Sequence, residues 1–297
     1  MKKFSYLIML LLLVCAGASA QEADTLALPN TKLIRNIPYV ANGHPQQNFD
    51  LYIPNNAKKP MPVILWIHGG AWEGGFKKWI DVAYLVGQGY AIASIDYRFS
   101  QHAIFPAQAI DCNEAIYYIW KNAAKYNLDV NRFVIGGGSA GGHLASLIGL
   151  SYNNKVKGFY NDINKSSKIR IRGVLDFYGP ADFNVVHGTA TLSFDYDDEK
   201  SAVTRLLGAM TLDRPDIAAY ASPVTYIDKD DPPFIIFHGD KDQLVPFWES
   251  RQFYARLKLA GVKAELVKLP GVGHAGGEFS APAMQKKVID FLNEVLK

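Results

Sequence analysis

Phe133-Val134-Ile135-Gly136-Gly137-Gly138-Ser139-Ala140-Gly141-Gly142-His143-Leu144-Ala145-Ser146-Leu147-Ile148 is the stretch on which the fold turns. Arg132 to Ile135 reads as a buried strand and His143 to Ile148 as helix, so Ser139 falls at the corner between them. Glycines two before and two after the serine suit a corner so tight that side chains there would collide with neighbouring backbone. A serine held this way is strained, projects above a sheet and has its oxygen at a helix N-terminus, where free N–H groups favour developing negative charge. Taken alone, the pattern also fits a glycine-rich turn with an incidental serine. A phosphate loop of the GxxxxGK[ST] type lacks its lysine here, and a GxGxxG fingerprint would require an acidic residue at the tip of the next strand.

The chain has 297 residues and 49% hydrophobic content, enough for one large α/β domain. Met1-Lys2-Lys3, the uncharged run Phe4 to Val14 and the small residues Ala18-Ser19-Ala20 read as a secretory signal over residues 1–20. The run is too short for a comfortable membrane span. Cleavage after Ala20 leaves a domain over 21–297 that is exported, to the periplasm or outside the cell. Cys15 suggests a lipoprotein anchor as the alternative, but Val14 precedes it where a small residue is wanted, so no stable membrane anchor is expected. Removing Lys2 and Lys3 takes the formal charge from +3 to about +1, which gives no electrostatic footprint for nucleic acid. The partner is expected to be a small or neutral molecule. Cys112 alone remains, which excludes an internal disulfide, and it sits on the apolar stripe Ala109, Cys112, Ile116, Ile119, Ala123, a core position.

Outward from the serine, strand-like and helix-like runs alternate. Phe49, Leu51 and Ile53 alternate with Asp50 and Tyr52 as an antiparallel edge strand, with Asn42-Gly43 as a candidate turn. Apolar strands follow at Pro62–His68, Tyr90–Asp96, Ile171–Phe177, Phe234–Phe237 and Ala264–Leu269. Helices are expected at Trp79–Gln88, ended by Gly89, at Ala107–Tyr126, at Phe247–Ala260, capped by Gly261, and over the last residues through Met284, Val288, Phe291 and Val295. Residues 179–222 carry no strand and read as a cap insertion above the sheet. Their carboxylates Asp195, Asp197, Asp198 and Glu199 read as a solvated face, since the ordered spacing of a calcium loop is missing. Near-continuous apolar strands alternating with helices indicate a mostly parallel twisted sheet covered on both faces.

In such sheets the chemistry lies beyond the carboxyl ends of the strands. Four runs end in polar motifs: His68-Gly69-Gly70-Ala71-Trp72, Ser139, His238-Gly239-Asp240-Lys241-Asp242 with Val245-Pro246, and Pro270-Gly271-Val272-Gly273-His274. The order oxyanion loop, serine, acid, histidine resembles that of the α/β-hydrolase family over essentially the whole mature length. The HGGxW loop, with Phe105-Pro106-Ala107-Gln108 and Asp231-Pro232-Pro233-Phe234, is most similar to a branch of secreted esterases that includes carbohydrate acetylesterases and feruloyl esterases.

The resemblance implies an α/β-hydrolase fold and a serine esterase, with Ser139 as nucleophile, His274 as general base and acid, and Asp242 as the residue that orients the imidazole. The pattern HGxxDxxVP favours Asp242 over Asp240, and Asp176 is a weaker rival. Backbone N–H groups of Ala140 and of Gly70 or Ala71 would bind the oxyanion. Trp72 is either a buried anchor or a pocket wall, and Tyr178, just past a strand end, is a candidate substrate contact. His68 is expected to brace the oxyanion loop, His238 the acid loop, and His143 to pack beneath the elbow. No histidine pair or cysteine cluster has metal-ligand spacing, so neither metal nor cofactor is expected. The implied substrate is a small-molecule or carbohydrate ester, such as an acetyl or feruloyl group on plant polysaccharides. A prolyl-oligopeptidase-type peptidase and a catalytically silent binding protein on the same scaffold are the alternatives.

Overall fold

A computed structural model describes residues 28–152, 154–161, 168–185 and 198–297. The expected signal over 1–20, the remainder of the N-terminal linker, the centre of the insertion, His187, Asp195 and Asp197 lie outside the described residues. Asp198 and Glu199 are exposed.

Eight strands form one sheet in the order β1-β2-β4-β3-β5-β6-β7-β8. They are β1 (Thr31–Pro38), β2 (Asn48–Pro54), β3 (Met61–Ile67), β4 (Ala91–Ile95), β5 (Leu128–Gly138), β6 (Ile171–Phe177), β7 (Phe234–Gly239) and β8 (Ala264–Leu269). All pairings from β4 to β8 are parallel, and β1 and β2 add an antiparallel margin. The helices are α1 (Ala107–Asn122), α2 (Ala140–Ser151), α3 (Ala202–Leu207), α4 (Pro215–Ala221), α5 (Phe247–Leu259) and α6 (Pro282–Val295).

Strand side chains alternate between two apolar layers, as the pleat requires. Val63, Leu65 and Ile67 of β3 belong to the layer that also holds Cys112 and Ile116 of α1, Leu144 and Ile148 of α2 and Phe253 of α5. Ile64 and Trp66 face the other way, with Val134, Leu175, Phe237 and the α6 residues Val288 and Leu292. Each such fully buried aliphatic side chain contributes roughly 1.5–3 kcal/mol, and strands buried on both faces read as continuous apolar runs for this reason.

Two sequence expectations are corrected. The strand at 49–53 is not the edge: β2 lies between β1 and β4, and its Phe49, Leu51 and Tyr52 are buried. The margin is β1, whose alternation is blurred by a register shift between Ile34 and Ile37 and by Asn36 in the left-handed region (φ 52°). The helix expected over Trp79–Gln88 shrinks to a single 3-10 stretch at Ala83–Gln88, closed by Gly89 at φ 93°. The carbonyls that a helix would have used are engaged by side chains: Trp66 Nε1 donates to the Trp79 carbonyl (2.7 Å) and Ser280 Oγ to that of Asp81 (3.2 Å). Residues 68–82 are therefore a long loop across the top of the sheet.

Register puts the carboxyl ends of the central strands at one level. Ile67 is opposite Gly137, Gly138 opposite Phe177, Phe177 opposite Phe237, and Gly239 opposite Leu269. The loops that leave these strand ends therefore all emerge on the same side of the molecule.

Candidate active site

Ser139 joins β5 to α2 with φ 55° and ψ −121°, a left-handed conformation that costs about 1–3 kcal/mol and persists only when its surroundings impose it. Here they do. The Ser139 amide donates to the Phe177 carbonyl (2.8 Å), and its own carbonyl accepts from His143 (2.9 Å), the first bond of α2. Glycine at 141 is obligatory, because a Cβ there would stand 2.0 Å from the Ile67 carbonyl oxygen, which is backbone and cannot yield.

The imidazole of His274 bridges two groups. Its Nε2 lies 2.8 Å from Ser139 Oγ and its Nδ1 2.6 Å from Asp242 Oδ2. A carboxylate only accepts, so Nδ1 carries the proton and Nε2 presents its lone pair to the hydroxyl. Asp242 is buried and accepts on both oxygens: Oδ1 from the Leu244 and Val245 amides (2.8 and 2.9 Å), Oδ2 from His274 and also from His238 Nε2 (3.1 Å). Burial alone would raise its pKa. Hydrogen bonds from His238 and His274 overcome this and hold the carboxyl far below the usual carboxylate range.

The rival acids stand elsewhere. Asp240 accepts from the Gly271 amide (2.7 Å) and pairs with Lys268 (3.4 Å). Asp176 is buried beneath α2, bonded to the Gly179 amide (3.0 Å) and Ser146 Oγ (3.1 Å).

Gly70, Ala71 and Trp72 are consecutive left-handed residues, with φ of 117°, 53° and 58°. They form a tight turn closed by the Glu73 and Gly74 amides on the Gly70 carbonyl (both 3.0 Å). Gly70 has no alternative, since its Cβ would lie 2.2 Å from the Gly74 oxygen. The N–H groups of Gly70, Ala71 and Ala140 find no partner among the described residues. All three residues line a cavity of about 390 Å³ together with Ser139 and His274. A cavity wall with unengaged donors beside a serine hydroxyl paired with an imidazole is suited to a developing negative charge on oxygen.

Trp72 is buried, 2% exposed, and also borders the cavity; its Nε1 donates to His143 Nδ1 (3.2 Å). Tyr178 also lines it, edge-on to His274 with centroids 4.7 Å apart. His68 is buried, stacked on Tyr97 at 4.7 Å and 3.4 Å from Asp96, so it ties the start of the 68–82 loop to β4's end. His238 accepts from Ser250 Oγ (2.6 Å) through Nδ1, which leaves Nε2–H for Asp242 and for the Val245 carbonyl (2.8 Å). His143 is clasped between Trp72 and the Ala221 carbonyl (2.8 Å), joining the elbow helix to the end of the insertion. Val245 stood in the HGxxDxxVP pattern, but sequence reasoning missed the rest of the wall: Trp66, Trp79, Asp81, Pro180, Leu244 and Ala275. Of these only Leu244 and Ala275 adjoin a quoted motif.

Two buried groups beside the site have opposing effects on stability. Burial pushes His143 down from 6.5 to about 4, and protonation would set its Nδ1–H against the Trp72 N–H. Burial pushes Asp176 up from 3.8 to about 7. As pH falls from about 6.5 to 4 the unfolded chain takes up a proton that folded His143 refuses, so this residue makes stability fall on acidification. Folded Asp176 keeps a proton that the unfolded chain releases above about pH 4, so it makes stability fall as pH rises towards 7. Each effect is on the order of 3–4 kcal/mol across its window, and in the wild type they offset. Asp176→Asn is expected to make the urea midpoint fall steeply between about pH 6.5 and 4.5, and His143→Gln to make it rise. Wild-type slopes in both variants would refute the assignment.

The BD-FAE family matches residues 49–257. The chain is 30% identical over 246 residues to Esterase LipC of Mycobacterium tuberculosis (strain ATCC 25618 / H37Rv), covering 80% of this chain and 59% of that protein. It is 27% identical over 247 residues to the isoprenylcysteine alpha-carbonyl methylesterase ICME of Arabidopsis thaliana, covering 81% and 56%. The chain thus spans little more than half the length of these curated relatives. Among solved structures, a truncated form of a carbohydrate esterase from gut microbiota superposes with a TM-score of 0.79 at 30% identity, over 89% of this chain and 95% of that one. A bifunctional GH43-CE protein of Bacteroides eggerthii gives 0.80 at 32% identity, over 89% and 38%.

Proposed function

Because this chain belongs to the BD-FAE family and has the α/β-hydrolase fold, we propose that it is a serine carboxylic-ester hydrolase in which Ser139 is the nucleophile, His274 the general base and acid, and Asp242 the orienting acid. The single observation that carries this reading is the placement of one imidazole 2.8 Å from the Ser139 hydroxyl and 2.6 Å from the Asp242 carboxylate.

On this reading Ser139 Oγ attacks the ester carbonyl carbon as its proton passes to His274 Nε2, and the carbonyl oxygen becomes an oxyanion held by the amides of Ala140 and of Gly70 or Ala71. The bond to the leaving oxygen breaks as His274 returns the proton to the departing alcohol, which leaves an acyl-enzyme. Water, deprotonated by the same nitrogen, attacks the acyl carbon and releases the acid with Ser139 restored. The imidazolium formed in each half is paired with Asp242, which stays ionised because His238 and the Leu244 and Val245 amides bind it as well.

For the substrate, the proposal is an acetyl or feruloyl ester on plant polysaccharides or their oligosaccharides. It is supported by similarity to the gut carbohydrate esterase and by the signal-like N-terminus, since a polymer meets an exported enzyme outside the cell. Trp72 and Tyr178 are proposed as walls of the substrate pocket. Wild-type protein incubated with acetylated and feruloylated xylan fragments should release acetate or ferulate, and Ser139→Ala should release neither. Equal release by both proteins would overturn the mechanism. Hydrolysis of p-nitrophenyl esters with no release from the sugars would overturn only the carbohydrate assignment.

A further inference from the structure

Asp81 brings a carboxyl group into the cavity, and the ester chemistry of the triad gives it no task. Apart from Ser139, His274 and Tyr178, the other side chains that line the cavity are apolar or indole. Asp81 sits at the end of the long loop over the sheet, its carbonyl held by Ser280 and the carbonyl two residues earlier by Trp66. The Tyr178 hydroxyl donates to its carboxylate. Tyr178 is itself fixed, with φ 47°, its N–H donating to the Phe237 carbonyl (2.8 Å), and its ring against Phe279 (4.6 Å) and His274 (4.7 Å). Gly138 shows how close this pair is to the nucleophile: a Cβ on that residue would stand 3.1 Å from the Tyr178 hydroxyl and 3.3 Å from Asp81 Oδ2.

An ionised carboxylate accepts about four hydrogen bonds, and one phenol supplies one. Partial burial of Asp81 raises its pKa against the Tyr178 hydrogen bond, as expected of a carboxyl partly withdrawn from water without full compensation. An alkyl substrate would strip more water from it and offer nothing in return, whereas a hydroxyl would supply a charge-assisted bond. Trp79 also lines the cavity and is 53% exposed, edge-to-face with Phe76 at 5.4 Å. Its exposed indole provides a surface for a ring.

We propose that Asp81, oriented by Tyr178, is the specificity-determining residue of this site and accepts a hydrogen bond from a hydroxyl on a ring of the substrate. The inference rests on the serine-esterase reading. The hydroxylated ring belongs either to a phenolic acyl group or to the sugar that carries the ester, and two matched pairs of substrates separate these sources.

Full-length wild type, Asp81→Ala and Asp81→Asn would be assayed for kcat/KM on methyl 4-hydroxycinnamate against methyl cinnamate, and on a mono-acetylated methyl xyloside against tetrahydropyranyl acetate. The wild type is expected to prefer the hydroxylated member of one pair by about 10- to 100-fold, and both variants to bring that ratio to within about threefold of unity. The pair that responds identifies the side of the ester that Asp81 reads. A ratio taken within one variant is not moved by a general loss of folded protein, and the isosteric asparagine serves if alanine does not fold. A wild-type ratio near unity in both pairs, or one that survives both substitutions, overturns the inference. Turnover of p-nitrophenyl acetate separates the failures: without it the esterase reading falls and takes this inference with it, and with it only the role of Asp81 falls.

Discussion

Ser139→Ala is expected to lower kcat for p-nitrophenyl acetate by on the order of 10⁴- to 10⁶-fold, with KM within a few-fold of wild type. The split between the two constants has a geometric cause. Removing one oxygen leaves the cavity walls, the unengaged amides of Gly70, Ala71 and Ala140 and the indole of Trp72 where they were, so ground-state binding persists while the covalent step is lost. His274→Ala is expected to cost a similar factor, because a serine hydroxyl is a weak nucleophile until a base 2.8 Å away takes its proton. The double variant should be no more than a few-fold slower than either single one, since both remove the same event. A fluorophosphonate probe should label wild-type Ser139 and fail to label either variant. A loss below about 100-fold on Ser139→Ala would place the nucleophile elsewhere.

How much of this was legible in the sequence depended on whether a feature is local. Apolar runs such as Val63–Ile67 and Ile235–Phe237 announce strands buried on both faces because burial fixes their composition. Ser139, Asp242 and His274 could be nominated because each comes just after such a run, and parallel register then brings strand ends together whatever lies between them. The loop over 68–82 was misread in part because its conformation depends on remote partners. The Trp66 indole and the Ser280 hydroxyl engage the Trp79 and Asp81 carbonyls, and no helical or loop period records that. Asp81 was hidden for the same reason, since it stands at no strand end and belongs to no motif. β1 was missed because a half-exposed edge strand with a bulge at Asn36 loses the alternation that identifies strands. The second imidazole on Asp242 was only half legible. His238 was expected to brace the acid loop, but nothing in its spacing says that it donates to the same oxygen as His274.

That shared oxygen makes Asp242→Asn the second large effect, an expected fall in kcat of about 10⁴-fold with the fold retained. The Leu244 and Val245 amides are backbone donors that cannot turn away from Oδ1, so the asparagine carbonyl must take that position. Its NH₂ then faces His274 Nδ1, where the carboxylate accepted. To accept from that NH₂ the imidazole must give up its Nδ1 proton and carry it on Nε2, so that an N–H confronts Ser139 and the base is lost. His238 meets the same NH₂ with its own Nε2–H, which adds a donor-to-donor contact and is expected to lower the melting temperature as well. Because the wild-type carboxyl is held far below its ordinary value, the stability it confers is fully present above about pH 4 and is lost only as the medium becomes more acidic than that. Asp242→Asn should therefore match the wild type more closely in strongly acidic urea titrations than at neutral pH. Asp240→Asn is the control: that side chain holds the Gly271 amide and Lys268 away from the imidazole, so kcat should stay within a few-fold of wild type. The reverse ranking, with Asp240→Asn the more damaging, would transfer the orienting role to Asp240 and require the 240–245 loop to rearrange when substrate binds.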